Sequence, residues 1–199
     1  MRFDRMFWQW ILGVFFLVWI IFSAPKLSYL QDFFNIIGIF LLFIGILGRL
    51  YATLYIGGIK NSGIDGNSFV SDGIYSVCRN PLYFFSFVGL LGILFLKGQL
   101  ILVAIGAILF LLVYRFTILS EEKFLSNKFG DSYIKFLKNT PRFFPNFSRF
   151  KYCERLEIRP FFLHKEIKRA FVWLIVALFI YIISVLQNLG FLPVLIMIY

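Results

Sequence analysis

Residues 82–119 read LYFFSFVGLLGILFL-KG-QLILVAIGAILFLLVYRFTIL, which is two apolar runs joined by one Lys-Gly pair. The first run covers residues 82–96, the second covers residues 99–119, and neither contains an acidic residue. A helix rises about 1.5 Å per residue and the hydrocarbon core of a bilayer is about 30 Å thick. The second run is therefore long enough to cross a membrane, and the first is slightly short. The pattern predicts two membrane-spanning helices in a tight hairpin with Lys97-Gly98 at its tip.

Three more apolar segments extend this prediction along the chain, at residues 7–24, 33–56 and 170–187. Each has about the length that a spanning helix needs. We therefore expect an all-α integral membrane protein with about five transmembrane helices, and a single membrane domain that covers residues 1–199. The apolar tail at residues 188–199 has no pattern that predicts its placement.

The composition also indicates a membrane protein. Apolar and aromatic residues make up 60% of the chain and charged residues only 15%, whereas soluble domains hold roughly 25% charged residues. The net charge of +10 is concentrated in residues 120–170, which hold 12 Lys and Arg against six Asp and Glu. Clustered cations beside apolar spans are typical of contact with anionic lipid. A nucleic-acid groove would not be interleaved with spans, so we expect membrane lipids and no nucleic acid as partners.

The distribution of Lys and Arg predicts the orientation. The short loop after the first span carries only Lys26 and the hairpin tip only Lys97, while the N-terminus carries two arginines. We expect the N-terminus, the turn-rich loop 57–81 and the basic segment 120–170 to be cytoplasmic, and the C-terminus to be outside. The protein is then expected in the bacterial cytoplasmic membrane, with its active site facing the cytoplasm.

A cytoplasmic amphipathic segment is predicted after the fourth span. Apolar side chains recur there at spacings of four, four and three residues, while most lysines fall on other faces. This pattern indicates a pair of helices that lie against the membrane and break near Gly130-Asp131. The apolar positions are Leu125, Phe129, Tyr133 and Phe136.

Charged residues at the ends of spans are candidates for chemistry because their burial is costly. The acidic pair Glu121-Glu122 follows the fourth span by one residue, where negative charge is unfavourable beside anionic lipid; the alternative is a simple helix-start role. Cys78 and Cys153 have neither zinc-ligand spacing nor a disulfide pattern, so no metal site is expected. Four arginines lie near the same membrane face, where snorkelling to lipid phosphate is the alternative role: Arg49, Arg79, Arg115 and Arg142.

Four short motifs in order resemble the isoprenylcysteine carboxyl methyltransferase family, to which the phospholipid methyltransferases are related. SDGIYSVCRNPLY at residues 71–83 is similar to the family signature G-x-Y-x-x-x-R-H-P-x-Y. EEKFL at 121–125, FGDSY at 129–133 and PRFFP at 141–145 are similar to the family's E-E-x-x-L, F-G-x-x-Y and P-R-F-x-P. The resemblance covers about residues 45–146, which we take as the methyltransferase core, with residues 170–187 as an additional span.

The resemblance implies a membrane-embedded methyltransferase that uses S-adenosylmethionine, and the chain has no glycine-rich dinucleotide fingerprint of the soluble fold. Gly89 and Gly92 would allow close approach of the cofactor, although spanning glycines equally serve helix packing. Glu122 belongs to the acidic pair that closes the pocket. The residues that the resemblance places in contact with the cofactor are Asn80, Pro81, Leu82, Tyr83 and Glu121.

The chain departs from the family at two positions. Asn80 stands where the family has histidine, and an amide can donate and accept hydrogen bonds but does not titrate near neutral pH. Thr117 stands where the family tends to have an arginine, and Arg115 lies half a turn away. His164, the chain's one histidine, lies outside the matched region and we interpret it as structural.

These departures bear on the methyl acceptor. A carboxylate is already ionised and needs only a cation to hold it, for which Arg142 and Arg115 are the catalytic candidates. An amine would have to lose a proton to a base. We expect O-methylation of the carboxylate of a lipophilic or lipidated substrate, of the isoprenylcysteine type. An amine or phospholipid N-methyltransferase, and a member of the fold without activity, are the alternatives.

Overall fold

The computed structural model describes residues 5–26, 28–56, 69–152, 156 and 158–198. The most turn-rich part of the predicted loop, residues 57–68, and Cys153 lie outside these ranges. The described residues form six α-helices and two short strands. The helices are α1 Arg5–Phe22, α2 Gln31–Ile56, α3 Ile74–Val77, α4 Pro81–Phe95, α5 Leu100–Asn139 and α6 Pro160–Asn188, and the strands are β1 Ser23–Pro25 and β2 Ile196–Ile198.

The prediction of a helical membrane protein is confirmed. Three helices, α2, α5 and α6, are long and apolar enough to cross a bilayer. Only 22% of the most apolar part of α5 and of α6 is buried within the protein, so most of that surface is left for contact with lipid. The apolar part of α1 at Gly13–Phe22 and the 15-residue α4 are shorter, and the number of five spans stays a prediction.

The predicted hairpin forms between α4 and α5. Helix α4 ends at Phe95 and α5 begins at Leu100. Gly98 in the turn has a φ of 71°, a left-handed conformation that residues with a Cβ adopt at a cost. The predicted break in the amphipathic segment is also present, because Gly130 within α5 has φ 56° and ψ −135°. The helix therefore changes direction there and continues to Asn139.

The all-α expectation is wrong in one detail, the C-terminal tail. Strand β2 pairs in parallel with β1, with Ser23 opposite Ile196 and Pro25 opposite Ile198. The pairing extends beyond the strands, since the Lys26 amide donates to the Ile198 carbonyl at 2.8 Å. A three-residue strand has no detectable period, so the sequence held no signal for this pairing.

Contacts divide the chain into two compact units, each built from three stretches of the sequence. The first unit contains Met1–Phe43, Gly89–Val113 and Val172–Tyr199. The second unit contains Ile44–Val88 and Tyr114–Phe171. All of the sequence motifs except Gly89 and Gly92 fall in the second unit.

Close helix packing holds the first unit together. A Cβ on Gly92 would lie 2.7 Å from the Gly38 carbonyl oxygen and 2.9 Å from the Leu42 Cα, so α4 and α2 approach backbone to backbone. A Cβ on Gly89 would collide with the ring of Trp173 in α6. Both glycines are therefore explained by helix packing, the alternative that the sequence left open.

A buried polar network lies in the same unit. Lys97 is fully buried, and its Nζ donates to Gln187 Oε1 at 2.6 Å. The Gln187 amide in turn donates to the carbonyls of Ile21 and Ser23, and Gln99 Nε2 donates to the Ser23 hydroxyl at 2.9 Å. The turn therefore carries its cation inward, which the sequence pattern did not predict.

The second unit has a compact core beside the motif residues. Helix α3 is buried along its whole length, and it packs against the C-terminal end of α2. Gly73 precedes it with φ 57°, and a Cβ at that position would collide with the Tyr55 ring, so both conformation and space require glycine. The members of this core are Ala52, Ile56, Ile74, Tyr75, Val77, Cys78 and Phe85.

Candidate functional site

The turn before α4 is fixed by backbone hydrogen bonds on both sides. Pro81 begins the helix, where a missing N–H costs nothing. The Asn80 carbonyl accepts from the amides of Tyr83 and Phe84 at 3.1 and 3.0 Å. The Arg79 amide donates to the Pro141 carbonyl at 2.9 Å, which joins two of the sequence motifs directly. The turn and the segment 141–145 therefore form one structure.

Side chains reinforce this junction. Asn80 Nδ2 donates to the Arg142 carbonyl at 3.0 Å, and the Cys78 thiol donates to the Phe143 carbonyl at 3.0 Å. The Asn146 amide donates to the Val77 carbonyl at 2.9 Å. The amide that replaces the family's histidine thus has a structural hydrogen bond.

Glu122 neutralises two arginines from two different motifs. Its carboxylate lies 3.1 Å from Arg79 Nη1 and 3.1 Å from Arg142 Nη2, and Arg142 Nε also donates to it at 3.2 Å. The Glu122 side chain is 8% exposed while that of Arg142 is 51% exposed. This buried carboxylate connects α5 to both the turn before α4 and the segment 141–145.

Glu121 has a different partner. Its Oε1 accepts from the Tyr83 hydroxyl at 2.6 Å, a distance typical of a strong hydrogen bond to a charged acceptor. The Tyr83 ring lies against the Tyr114 ring, with centroids 5.0 Å apart. The two members of the acidic pair therefore differ in function: Glu122 is shared by arginines, and Glu121 is oriented by a phenol.

Three sequence-predicted residues line one cavity of about 40 Å³, namely Asn80, Glu121 and Glu122. Arg79 and the buried Tyr75 also line it. The Tyr75 hydroxyl has no hydrogen-bond partner among the described residues. Apolar walls complete the cavity at Ile56, Phe69, Val70, Leu125, Tyr133 and Phe136.

This lining fits S-adenosylmethionine in its chemistry. The cofactor is a cation with hydroxyl and amino groups, and the cavity offers the Glu121 carboxylate, the Asn80 amide and the orphan Tyr75 hydroxyl. Pockets for ligands of this size usually measure about 300 Å³ or more, so a cavity of about 40 Å³ must widen when such a ligand binds.

Burial sets the protonation of two neighbouring groups. It raises the pKa of the Cys78 thiol to about 12, and it raises the pKa of the Tyr75 phenol well above its ordinary value. Both groups therefore stay protonated at neutral pH, as donors that are not nucleophiles. Burial also lowers the pKa of Arg79, an effect that the nearby Glu122 opposes.

The other sequence-predicted residues lie elsewhere. Pro81 is buried, and the Leu82 carbonyl accepts from Arg49 at 3.1 Å. Arg115 is exposed on α5, and His164 is exposed on α6. None of these four side chains lines the cavity that contains Glu121.

Sequence reasoning missed the partner of Arg49. This arginine is buried, donates to the Ser86 hydroxyl, and lies 2.6 Å from Glu166 Oε1. Glu166 is also buried and receives a second arginine, Arg169, at 2.6 Å. The one sequence signal was an acidic residue in a strongly basic stretch beside a span, which is costly without a partner.

Comparison with known proteins identifies a matching family and two relatives. The family model described as phospholipid methyltransferase matches residues 33–132. The cobalt-zinc-cadmium resistance protein CzcN of Cupriavidus metallidurans is 37% identical over 105 residues, 53% of this chain and 46% of that protein. The nickel-cobalt-cadmium resistance protein NccN of Alcaligenes xylosoxydans xylosoxydans is 39% identical with the same coverage. The chain thus spans less than half the length of these curated relatives.

Proposed function

We propose that this chain, which belongs to the phospholipid methyltransferase family, transfers methyl groups from S-adenosylmethionine to a lipophilic acceptor at the membrane surface. The observation that carries the proposal is the meeting of Glu121 with the turn of residues 79–83, seen in the 2.6 Å hydrogen bond from Tyr83. These motifs are 38 residues apart in sequence, and both belong to the family resemblance. Their meeting supports a common ligand.

Glu121 is the carboxylate best placed to hold a cationic cofactor. Glu121 lines the cavity and accepts from the Tyr83 hydroxyl, and Glu122 is shared by two arginines. Tyr75 would donate its hydroxyl, and the Asn80 amide oxygen would accept. When bound, S-adenosylmethionine supplies an electrophilic methyl group on a sulfonium. The residues of the chain then need only to hold donor and acceptor in line and to exclude water.

The acceptor that we favour is the carboxylate of a lipid-like molecule. No histidine lines the cavity, and Cys78 and Tyr75 stay protonated, so the described residues of this site offer no neutral-pH base apart from their carboxylates. A carboxylate acceptor requires none. Arg142 uses its Nε and Nη2 for Glu122, which leaves Nη1 to hold an acceptor, and exposed Arg115 is the other candidate.

The amine of a phospholipid is the second candidate acceptor. The description of the matching family supports it. The names of the two relatives point to resistance against metal ions. Among the described residues no three His, Cys, Asp or Glu side chains lie together as metal ligands, and we propose no metal chemistry for this chain.

Cofactor binding is tested with Glu121→Gln. We expect this variant to bind S-adenosylmethionine more weakly by about 1.5–3 kcal/mol, the scale of a hydrogen bond to a charged group. Isothermal titration calorimetry of the purified protein in detergent measures it. Asp131→Asn is the matched control, since it removes an exposed carboxylate further along α5. Unchanged affinity in Glu121→Gln would show that the acidic pair is structural, and no binding by the unaltered protein would favour a member without activity.

The acceptor class is tested by the dependence of rate on pH. Labelled-methyl transfer is measured against lipophilic acids and against phosphatidylethanolamine. With a carboxylate acceptor we expect a rate that is nearly flat from about pH 6.5 to 8.5, because acceptor and arginine keep their charges. A rate that rises about tenfold per pH unit would instead indicate an amine that must lose its proton.

A further inference from the structure

A second and larger cavity, of about 430 Å³, lies in the motif-bearing unit. Its walls come from three segments: the stretch before α3, the end of α5 after the Gly130 kink, and the turn at residues 147–151. Among the described residues it shares only Phe69 and Phe136 with the cavity that contains Glu121. No part of the proposed methyl transfer uses it.

The lining of this cavity is basic. Lys135, Arg149 and Lys151 all contribute to it, and no Asp or Glu among the described residues does. None of the three forms an ion pair with a described residue. Three positive charges around one cavity repel one another, and an anion bound among them reduces that repulsion. The charge alone therefore predicts an anionic ligand.

Hydroxyl groups accompany the cations. Ser71, Ser76 and Ser132 line the cavity, together with an asparagine and a threonine. Hydroxyls, amides and cations are donors that suit an oxygen-rich anion such as phosphate. A carboxylate ligand would need fewer donors than this lining provides.

The cavity is held in shape by hydrogen bonds across the segments. The Gly73 amide donates to the Lys151 carbonyl at 2.9 Å, and the Lys151 amide donates to the Ser76 hydroxyl at 2.9 Å. Ser76 also donates to the Gly73 carbonyl at 2.7 Å. Asn146 caps the turn that carries Arg149 by accepting from the Ser148 amide. Arg149 and Lys151 therefore lie on a backbone segment that hydrogen bonds hold beside Ser76.

Exposed aromatic rings beside these cations identify the source of the phosphate. Tyr152 is 91% exposed and Phe147 is 63% exposed, and both lie within two residues of Arg149 or Lys151. Phe147 begins the short 3-10 helix Phe147–Arg149, and Tyr152 lies outside any helix. Exposed rings next to cations are typical of segments at the membrane–water interface, where the ring enters the headgroup layer and the cation meets lipid phosphate.

We propose that the cavity lined by Lys135, Arg149 and Lys151 binds the phosphate of an anionic lipid headgroup. This site is separate from the cavity that contains Glu121. The inference does not require that the chain transfers methyl groups, so either proposal can fail without the other.

The test uses the full chain in detergent and a fluorescent short-chain phosphatidic acid as the probe. We expect the double variant Arg149→Gln/Lys151→Gln to bind the probe roughly tenfold more weakly, and Lys135→Gln to weaken it less. The matched control is Lys123→Gln/Lys138→Gln, which removes two cations of α5 that do not line the cavity. Thermal unfolding of each variant shows whether it is folded, and Lys135→Gln serves if the double variant is not.

Three outcomes would overturn the proposal. An equal loss in the control would mean that only the overall positive charge attracts the lipid. Displacement of the probe by inorganic phosphate as readily as by unlabelled phosphatidic acid would mean that the ligand is free phosphate. Competitive displacement by S-adenosylmethionine would make the cavity part of the cofactor site. The lipid site is supported if S-adenosylmethionine does not displace the probe and only the cavity variants bind the probe more weakly.

Discussion

At the scale of single residues, the neighbours Glu121 and Glu122 are expected to respond differently to the same substitution. Glu122→Gln removes the negative charge shared by Arg79 and Arg142. Loss of one partner from a buried ion pair costs about 3–5 kcal/mol. Because Arg142 is half exposed and can return to water, we expect a loss of about 2–4 kcal/mol in the free energy of unfolding. Denaturant unfolding in detergent measures it.

Glu121→Gln is the control for that experiment. The Tyr83 hydroxyl can donate to an amide oxygen as well as to a carboxylate, so this hydrogen bond is kept and we expect a smaller loss than in Glu122→Gln. Equal losses in the two variants would contradict the division of roles between the two carboxylates.

The sequence predicted that the acidic pair and the turn of residues 79–83 lie together, but it did not predict the ion pair between Arg49 and Glu166. The motifs of residues 71–145 predicted that the acidic pair and the turn of residues 79–83 share a site. The structure brings Asn80, Glu121 and Glu122 to one cavity. Arg49 and Glu166 are 117 residues apart, and Glu166 lies outside the matched motifs. Such a pair is set by helix packing, which one sequence does not encode as a local pattern.

At the scale of elements, the turn between α4 and α5 has a pH-dependent stability. Burial lowers the pKa of Lys97 to about 8, while an unfolded lysine titrates near 10.4. Below about pH 8 the folded state must carry a buried charge, and above it the folded state releases that proton before the unfolded state does. Stability therefore rises as pH increases from about 8 toward 10.

Comparison with Lys97→Met isolates this effect. We expect the unaltered protein to gain about 1 kcal/mol more than the variant between pH 7 and pH 9. Unfolding measured across this range in detergent gives both slopes. Parallel slopes would mean that Lys97 keeps its charge throughout. The Met side chain leaves Gln187 Oε1 without its lysine donor, so the comparison rests on the slope and not on absolute stability.

The apolar runs predicted these two helices and their short connection, but not the direction of the lysine. The hydropathy pattern locates Lys97 in a turn, and a charged side chain in a turn is usually interpreted as facing water. The buried acceptor, Gln187, comes from α6, some 90 residues later. Only assembly of the first unit makes an inward position possible.

At the scale of the whole molecule, the Lys and Arg distribution predicts a cytoplasmic N-terminus and five spans. Cysteine labelling with a membrane-impermeant maleimide tests this at two exposed positions, Tyr29 at 77% and Tyr152 at 91%. In intact cells we expect Tyr29→Cys to react and Tyr152→Cys to react only after permeabilisation. The opposite result would invert the topology, and reaction of both from outside would change the number of spans.

The structure also decides how that experiment is designed. Lys97 is fully buried, so a cysteine there would stay unlabelled on either side of the membrane. Cys78 is buried as well and should remain silent, whereas Cys153 is replaced with serine in the background protein. If Lys97 were chosen from the sequence as the outer reporter, the absence of labelling would not show on which side of the membrane the turn lies.

The parallel pairing of β1 with β2 has a consequence for biosynthesis. Residues 23–25 are synthesised before their partners at residues 196–198, which follow more than 170 residues later. Gln187, which donates to the carbonyls of Ile21 and Ser23 and accepts from Lys97, is also synthesised after them. The first unit therefore cannot complete this strand pairing, or supply the acceptor of Lys97, until α6 and the residues after it have been translated.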